Sequence, residues 1–389
     1  MSKKDFFIEI DHASIEKCGQ MVCGDVFMSR KVQKEGRTVC VLSDGLGSGI
    51  KANVLATMTA SMALNFTLAD QPIERSARSI RNTLPQDEVR KISYASFTII
   101  DNSYDGATRI IEYGNPQCLV FRNTTPLPLE NNLTDSPDQL AVNAIQVGKG
   151  DRIVLFSDGV SQSGMGRNDM PFGWEMDAVS DFISWQIGRN NEISAHDLCK
   201  KIVVQANNND RYHARDDITC SVIYFREPRA MLVCSGPPYN IDKDGYVAKV
   251  MDEFDGAKVI CGGTTAQIMS RELKRDIEMD LFSGVDGIPP VSYMDGVDLV
   301  TEGILTLGKI SATLANHSFD QLQKRNPARK LMEMFMAHDK ITFLVGTKVN
   351  EAHQDPNLPA ELDIRRNVIK KIAAILQNEY LKAVDIKYI

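Results

Sequence analysis

The chain has 389 residues, with 44 Lys and Arg against 51 Asp and Glu. At about 150 residues per domain this length predicts two or three domains, and an apolar share of 43% excludes a disordered chain. A formal charge of −7 speaks against a nucleic-acid binder, which carries a basic stripe. No apolar run reaches the ~18 residues of a membrane span, so no stable membrane insertion is expected.

In chain order, the start, Met1-Ser2-Lys3-Lys4-Asp5, leads into no signal-peptide core. The eight cysteines, at 18, 23, 40, 118, 199, 220, 234 and 261, are scattered singly. They form no Cys-x-x-Cys pair, which argues against zinc or thiol-redox chemistry and predicts small buried hydrophobes. The expected setting is cytoplasmic, with reduced thiols. Residues 6–10 predict a short strand. Residues 38–42 are an apolar run typical of a strand buried on both faces, ending at Ser43-Asp44-Gly45-Leu46-Gly47-Ser48-Gly49. Residues 52–68 are rich in Ala, Met and Leu and nearly free of charge, which predicts a core helix apolar around most of its circumference. A more polar helix is expected at 73–82. Strands at 93–100, 109–113 and 117–122 follow, separated by turn residues as in an antiparallel meander. Residues 124–138 read as a surface loop. A buried strand at 152–156 ends at Ser157-Asp158-Gly159. Helices at 176–187 and 195–207 precede a last strand at 218–225, introduced by Asp216-Asp217.

Near Arg226-Glu227-Pro228-Arg229 the pattern changes to an alternation of strand and helix. Strands are expected at 231–234, 258–261, before Val300 and at 341–345. Helices are expected at 245–254, 266–275, 304–316, 327–337 and, closing the chain, 364–381. Such alternation predicts a mostly parallel sheet covered by helices. The boundary is placed at about residue 228, giving domains 1–227 and 228–389. The first carries 24 basic and 29 acidic residues, the second 20 and 22.

Five acids stand out. Asp25, Asp44, Asp158, Asp216 and Asp217 each sit at the edge of an apolar strand, where a lone carboxylate is costly to desolvate. One such residue is ordinarily a cap or a turn former. Several on one sheet edge can converge, and converged carboxylates repel and need cations. Oxygen-only donors suit Mg²⁺ or Mn²⁺ rather than Zn²⁺. A pair of such ions about 4 Å apart can acidify a water between them and aim it at phosphorus. That chemistry admits a phosphoester hydrolase with no Cys or Ser nucleophile.

The motifs occur in a characteristic order. Cys23-Gly24-Asp25 comes first, then Ser43-Asp44-Gly45-Leu46-Gly47-Ser48-Gly49 before an apolar helix. Tyr113-Gly114-Asn115-Pro116 follows, then Gly150 to Val160 with its Ser157-Asp158-Gly159, and last Asp216-Asp217-Ile218-Thr219. Over residues 1–226 this resembles the metal-dependent protein phosphatase family, in its SpoIIE-like bacterial branch. The resemblance implies an α+β fold, an α-β-β-α sandwich of two antiparallel sheets with the metals at one end, followed here by a smaller α/β domain. It implies that Asp44 bridges two metal ions, Mn²⁺ or Mg²⁺, with the Gly45 carbonyl beside it and Asp25, Asp158 and Asp216 as further ligands. It implies hydrolysis of phosphoserine or phosphothreonine on proteins, in this branch on small regulators such as anti-sigma-factor antagonists. Two departures stand out. The eukaryotic branch has a His after the Asp-Gly pair where this chain has Leu46, and an N-terminal phosphate-gripping Arg with no counterpart before Asp25. The role of Asp217 stays open between supporting the ligands and facing solvent.

In the second domain, Gly262, Gly263, Thr264 and Thr265 follow a strand and open a helix. Two readings are open: a turn that binds an anion or ligand, or a tight strand-to-helix turn with Thr as N-cap. Residues 298–303 and 346–354 are further strand ends where ligands gather in open parallel sheets. His353 reads as a loop hydrogen-bonder. The 364–381 helix, with Ile364, Val368, Ile372, Ile375 and Leu376 on one side, reads as a domain-packing helix, and the Met-rich run at 331–336 as core. This domain is similar to an extension of some SpoIIE-like phosphatases, to which no activity attaches.

The leading expectation is a metal-dependent protein serine/threonine phosphatase acting on a phosphorylated protein in bacterial signalling. The alternatives are a small-phosphoester hydrolase with the same metals and a metal-binding signalling scaffold without turnover. A small ligand on the second domain and a homodimer are the further partners considered.

Overall fold

The computed structural model describes residues 6–32, 35–83, 95–130, 140–280, 284–285, 287–316, 322–348, 361–380 and 382–389. The chain forms two compact units, Met1–Glu227 and Pro228–Ile389.

The first unit begins with β1 (Phe7–Ile15), β2 (Val26–Val32), β3 (Arg37–Gly45), α1 (Gly49–Leu68) and α2 (Ile73–Thr83). Next come β4 (Ala95–Ser103), β5 (Ala107–Tyr113), β6 (Leu119–Arg122), β7 (Thr125–Leu127), β8 (Ala141–Gln146) and β9 (Asp151–Phe156). It closes with α3 (Asp158–Ser161), α4 (Met176–Arg189), α5 (Ala195–Asn209) and β10 (Ile218–Arg226). The strands make two sheets, β1-β10-β9-β6-β7 and β2-β3-β4-β5-β8, antiparallel throughout.

The apolar runs become inner strands because both their faces are covered. Side chains alternate across a strand. Cys40, Leu42, Ile153, Leu155, Ile223 and Phe225 therefore pack between the two sheets. Val39 and Val41 turn the other way, to Leu55, Ala60 and Leu64 of α1. Val154, Phe156 and Val222 turn to Val179 and Ile183 of α4 and Leu198 and Ile202 of α5. The result is four layers, helix–sheet–sheet–helix. Each fully buried large apolar side chain stabilises them by about 1.5–3 kcal/mol.

The second unit contains β11 (Ala230–Ser235), α6 (Asp244–Asp252), β12 (Ala257–Cys261), α7 (Gly263–Leu273), β13 (Glu278–Met279), β14 (Ser292–Met294) and β15 (Val297–Thr301). It continues with α8 (Ile304–Ala315), α9 (Pro327–Ala337), β16 (Lys340–Val345), α10 (Glu361–Asn378) and β17 (Ala383–Tyr388). Its sheet runs β13-β14-β15-β12-β11-β16-β17. The strands from β15 to β17 are parallel, and β13 and β14 add an antiparallel margin. Met231, Val233, Phe343 and Val345 face Leu307, Leu331, Phe335 and Ile372 of α8, α9 and α10. Leu232, Cys234, Ile260 and Leu344 face Val247, Met251 and Met269 of α6 and α7.

Several sequence expectations need correction. The 124–138 loop contains β7, and 131–138 lie outside the described residues, as do 93–94 of the expected 93–100 strand and His353 with 349–354. The chain closes on strand β17, not on a helix. The apolar circumference of α1 predicts burial all round, yet Ile50, Val54 and Met58 are exposed, because only one side of the helix meets the sheet. Ile364 is likewise exposed rather than packed, while Ile369, Ile372 and Leu376 anchor α10. All eight cysteines are free, and six are buried. Among the described residues no helix is long and apolar enough to cross a membrane.

Candidate metal centre

Five aspartates flank strand ends at one edge of the first unit. Asp44 is the penultimate residue of β3, and Asp25 immediately precedes β2. Pairing of Val26 with Ser43 sets the two side by side. Asp158 opens α3 directly after β9, and Asp216 and Asp217 lead into β10. These ends are tied together by the Ser157 amide donating to the Thr219 carbonyl at 3.0 Å. Asp158 and Asp216 both raise the proton affinity of Asp44, and Asp217 raises that of Asp25. The two sheets thus deliver their carboxylates to one cluster.

The electrostatics follow from this crowding. Burial first, then the charges of Asp25, Asp158 and Asp216, push the Asp44 carboxyl up to about 9. Burial pushes Asp25 up to about 7, with Asp217 adding to the rise and hydrogen bonds from Ser157 and Thr219 opposing it. Asp158 is raised by burial and by Asp216. Burial and the nearby Asp25 also push the Cys23 thiol up to about 12, so this cysteine stays an inert thiol. Repulsion of this kind is relieved by cations.

The surroundings hold the acids in place. The Lys17 amide donates to Asp217 Oδ1 at 3.0 Å, and its ammonium stands 3.6 Å from Asp216 Oδ1. Gln162 donates to Asp158 Oδ2 at 3.0 Å. Glycines allow the close approach: a Cβ on Gly24 would lie 2.7 Å from Asp217 Oδ2, one on Gly45 would strike the Ala52 carbonyl, and one on Gly159 the Asp217 carbonyl. Asp25 Oδ2 and Asp217 Oδ2 are buried without a hydrogen-bond partner, an arrangement that is expensive unless something positive completes it. The donors are all oxygen, which fits Mg²⁺ or Mn²⁺. Among the described residues no three acids, cysteines or histidines close into a ready-made cage. A looser set suits hard cations that keep several waters.

The structure therefore brings together Asp25, Asp44, Asp158 and Asp216, with Gly45 beside them. Asp217, left open by the sequence, is buried inside the cluster at 4% exposure. Sequence reasoning missed Lys17 and Gln162, which carry no local signal, and gave Ser157 and Thr219 as motif residues without their role as partners of Asp25. Gly24 and Gly159 did carry one, since a glycine next to a strand-end acid marks a close approach of backbone. The turn Gly262, Gly263, Thr264 and Thr265 belongs to the second unit. There Gly262, not a threonine, is the N-cap of α7 and supplies no side-chain cap. Thr265 Oγ1 instead accepts from the Gly236 amide at 2.9 Å.

Residues 34–226 match the family model described as Stage II sporulation protein E. The phosphoserine phosphatase RsbX of Bacillus subtilis (strain 168) is 25% identical over 177 residues, covering 43% of this chain and 81% of RsbX. The PP2C phosphatase domain of SpoIIE from Bacillus subtilis, solved with a fragment of its regulatory domain, aligns at 16% identity and a TM-score of 0.46. That alignment covers 57% of this chain and 65% of the other, just under two thirds. The RsbU and RsbW domains of Rv1364c from Mycobacterium tuberculosis align at 17% identity and a TM-score of 0.46, covering 63% of this chain and 69% of theirs.

Proposed function

Because the first unit of this chain belongs to the SpoIIE-like branch of the metal-dependent protein phosphatases, we propose that its aspartate cluster hydrolyses phosphoserine or phosphothreonine on a protein regulator, using two Mn²⁺ or Mg²⁺ ions. The chain is a protein serine/threonine phosphatase, and its substrate is expected among small phosphorylated regulators of the anti-sigma-factor-antagonist type. The observation that carries this reading is the buried carboxylate cluster, with Asp25 Oδ2 and Asp217 Oδ2 left unpartnered.

Asp44, Asp25, Asp158 and Asp216 would hold the ions, with the Gly45 carbonyl beside Asp44. When bound, the ions supply an acidified water and neutralise charge on the phosphoryl group. The rest is positioning by the chain itself. Gln162 restrains the Asp158 carboxylate. The Lys17 amide fixes Asp217, which fills the space behind Gly24. The Lys17 ammonium offsets charge at Asp216 without displacing it, since the pair is partly exposed and its attraction modest. With Leu46 where the eukaryotic branch has a histidine, no imidazole stands at that position to protonate the leaving oxygen.

The test is a comparison of substrates on the full chain with Mn²⁺: a phosphoserine peptide, AMP and an aryl phosphate. The peptide is expected to give the highest kcat/KM. Preference for AMP would make the chain a small-phosphoester hydrolase instead, and binding of Mn²⁺ with no turnover of any of the three would make it a scaffold.

A further inference from the structure

The second unit contains a cavity of about 470 Å³ that phosphatase chemistry does not use. We propose that it binds a small organic anion, a phosphate or carboxylate head resting on the N-terminus of α7 and an apolar body against the facing wall. Its size falls within the range of small-ligand sites.

Its place in the fold is the first support. Taken in chain order, the five parallel strands β11, β12, β15, β16 and β17 lie in the order 3-2-1-4-5. Ligands of such sheets collect outside the carboxyl ends of the strands, near the point where the order reverses. The order reverses between β11 and β16, and the cavity lies at this carboxyl edge on the β12 side of β11, lined by Gly236 after β11, Gly262 after β12 and Thr301 at the end of β15.

The lining supplies the head group's partners. α7 has 11 residues, a glycine N-cap without a side-chain cap, and no acid in its first turn. Its first amides have no partner within the helix and carry the positive end of its dipole. The neighbouring α8 differs, because the Glu302 carboxylate accepts from the Leu305 amide at 3.1 Å and already caps it. The Gly262 turn is held open by its own amide donating to the Thr301 carbonyl at 2.9 Å, with φ at +131°.

A second, independent observation comes from Thr301. This residue is 3% exposed, lines the cavity, and has a buried hydroxyl without a hydrogen-bond partner. The Cys261 thiol, at the paired position of β12, is only a weak partner. Arg365 of α10 adds a cation to the lining. Its guanidinium occupies the place where a side chain on residue 236 would stand, so Gly236 is what admits it. Arg365 and Glu302 are the charged side chains of the lining. Ile277, Met279, Pro290 and Ile304 form the apolar wall.

The experiment uses the full chain in chelator, where the bare aspartates of the first unit repel anions. AMP, benzoate and adenosine are titrated by calorimetry against wild type, Arg365→Gln and Gly263→Leu. Gly263 has no positive φ, and a Cβ there meets nothing within 4 Å, so leucine obstructs the site without backbone strain. Saturable binding of AMP or benzoate is expected, weakened at least about tenfold by either substitution, with melting temperature and phosphatase turnover unchanged. AMP alone marks the head as phosphate, and benzoate alone as carboxylate. The proposal is overturned if neither anion binds below about 10 mM, if adenosine binds as well as AMP, or if binding survives both substitutions.

Discussion

Asp44 stands at the centre of the carboxylate cluster. Buried and surrounded by Asp25, Asp158 and Asp216, it is stable as an anion only beside a cation. Neutralising it should therefore act in opposite directions on stability and function. Asp44→Asn is expected to raise the melting temperature of the chelated protein at about pH 8 by a few degrees, on the scale of about 2–4 °C per kcal/mol for a domain of this size. Differential scanning calorimetry reads this, and a lower melting temperature would mean that Asp44 is structurally satisfied as it stands. At this scale the acids were legible because each sits at the end of an apolar strand, and Asp25, Asp44 and Asp158 also adjoin a glycine, a place with no other use for a charge. Lys17 was not legible. It reaches Asp216 and Asp217 across about 200 residues, brought together by the pairing of Ile15 with Ile218 and by the Cys18 amide donating to the Ala214 carbonyl at 2.8 Å.

Among the elements, α1 links packing to the cluster. Ala52, Ala56, Ala60 and Ala63 are buried, and their small size lets the helix lie close to β3. Ala52 presses its carbonyl on Gly45, directly beside Asp44. Ala56→Leu is expected to cost about 1–3 kcal/mol by overpacking and to weaken Mn²⁺ activation by lifting α1 from Gly45. Denaturant unfolding and the Mn²⁺ concentration at half-maximal turnover would register both, and an unchanged midpoint would mean that α1 has room to spare. Which strands could be read from sequence follows from their place in the sheet. The inner strands β3, β9 and β10 are buried along almost their whole length and carry apolar runs because both faces are covered. Of the strands missed, β2, β7, β8, β13 and β17 are sheet edges, and β14 is the short strand beside the β13 edge. In β2 the sequence Phe27-Met28-Ser29-Arg30-Lys31 mixes polar and apolar residues, and in β17 most positions are exposed. Edge strands are specified by their neighbour's backbone more than by their own side chains, so local pattern finds them poorly, and of the edge strand β1 it found only the first part.

For the whole molecule, the raised carboxyls tie stability to pH. In the folded, chelated protein Asp25 and Asp44 hold protons up to about 7 and about 9, while unfolded aspartates lose theirs near ~4. The folded state then binds more protons than the unfolded one, so stability falls as pH rises. The contribution is fully present below ~4 and is lost on passing through the folded values. A chelated sample should melt at progressively lower temperature from about pH 5.5 to about pH 8.5. A sample with saturating Mn²⁺ should stay level or rise, because a bound ligand stabilises the folded state. Two parallel curves would mean that the cations do not meet these carboxylates. The central claim, that this cluster turns over phosphoprotein by means of divalent ions, is tested most directly by phosphate release from a phosphoserine peptide along a Mn²⁺ titration, with wild type and Asp44→Ala side by side. Turnover is predicted to be absent in chelator, to rise and saturate with Mn²⁺ in the wild type, and to drop at least about a hundredfold in the variant. Equal turnover in chelator, or an Asp44→Ala protein that saturates like the wild type, would contradict it.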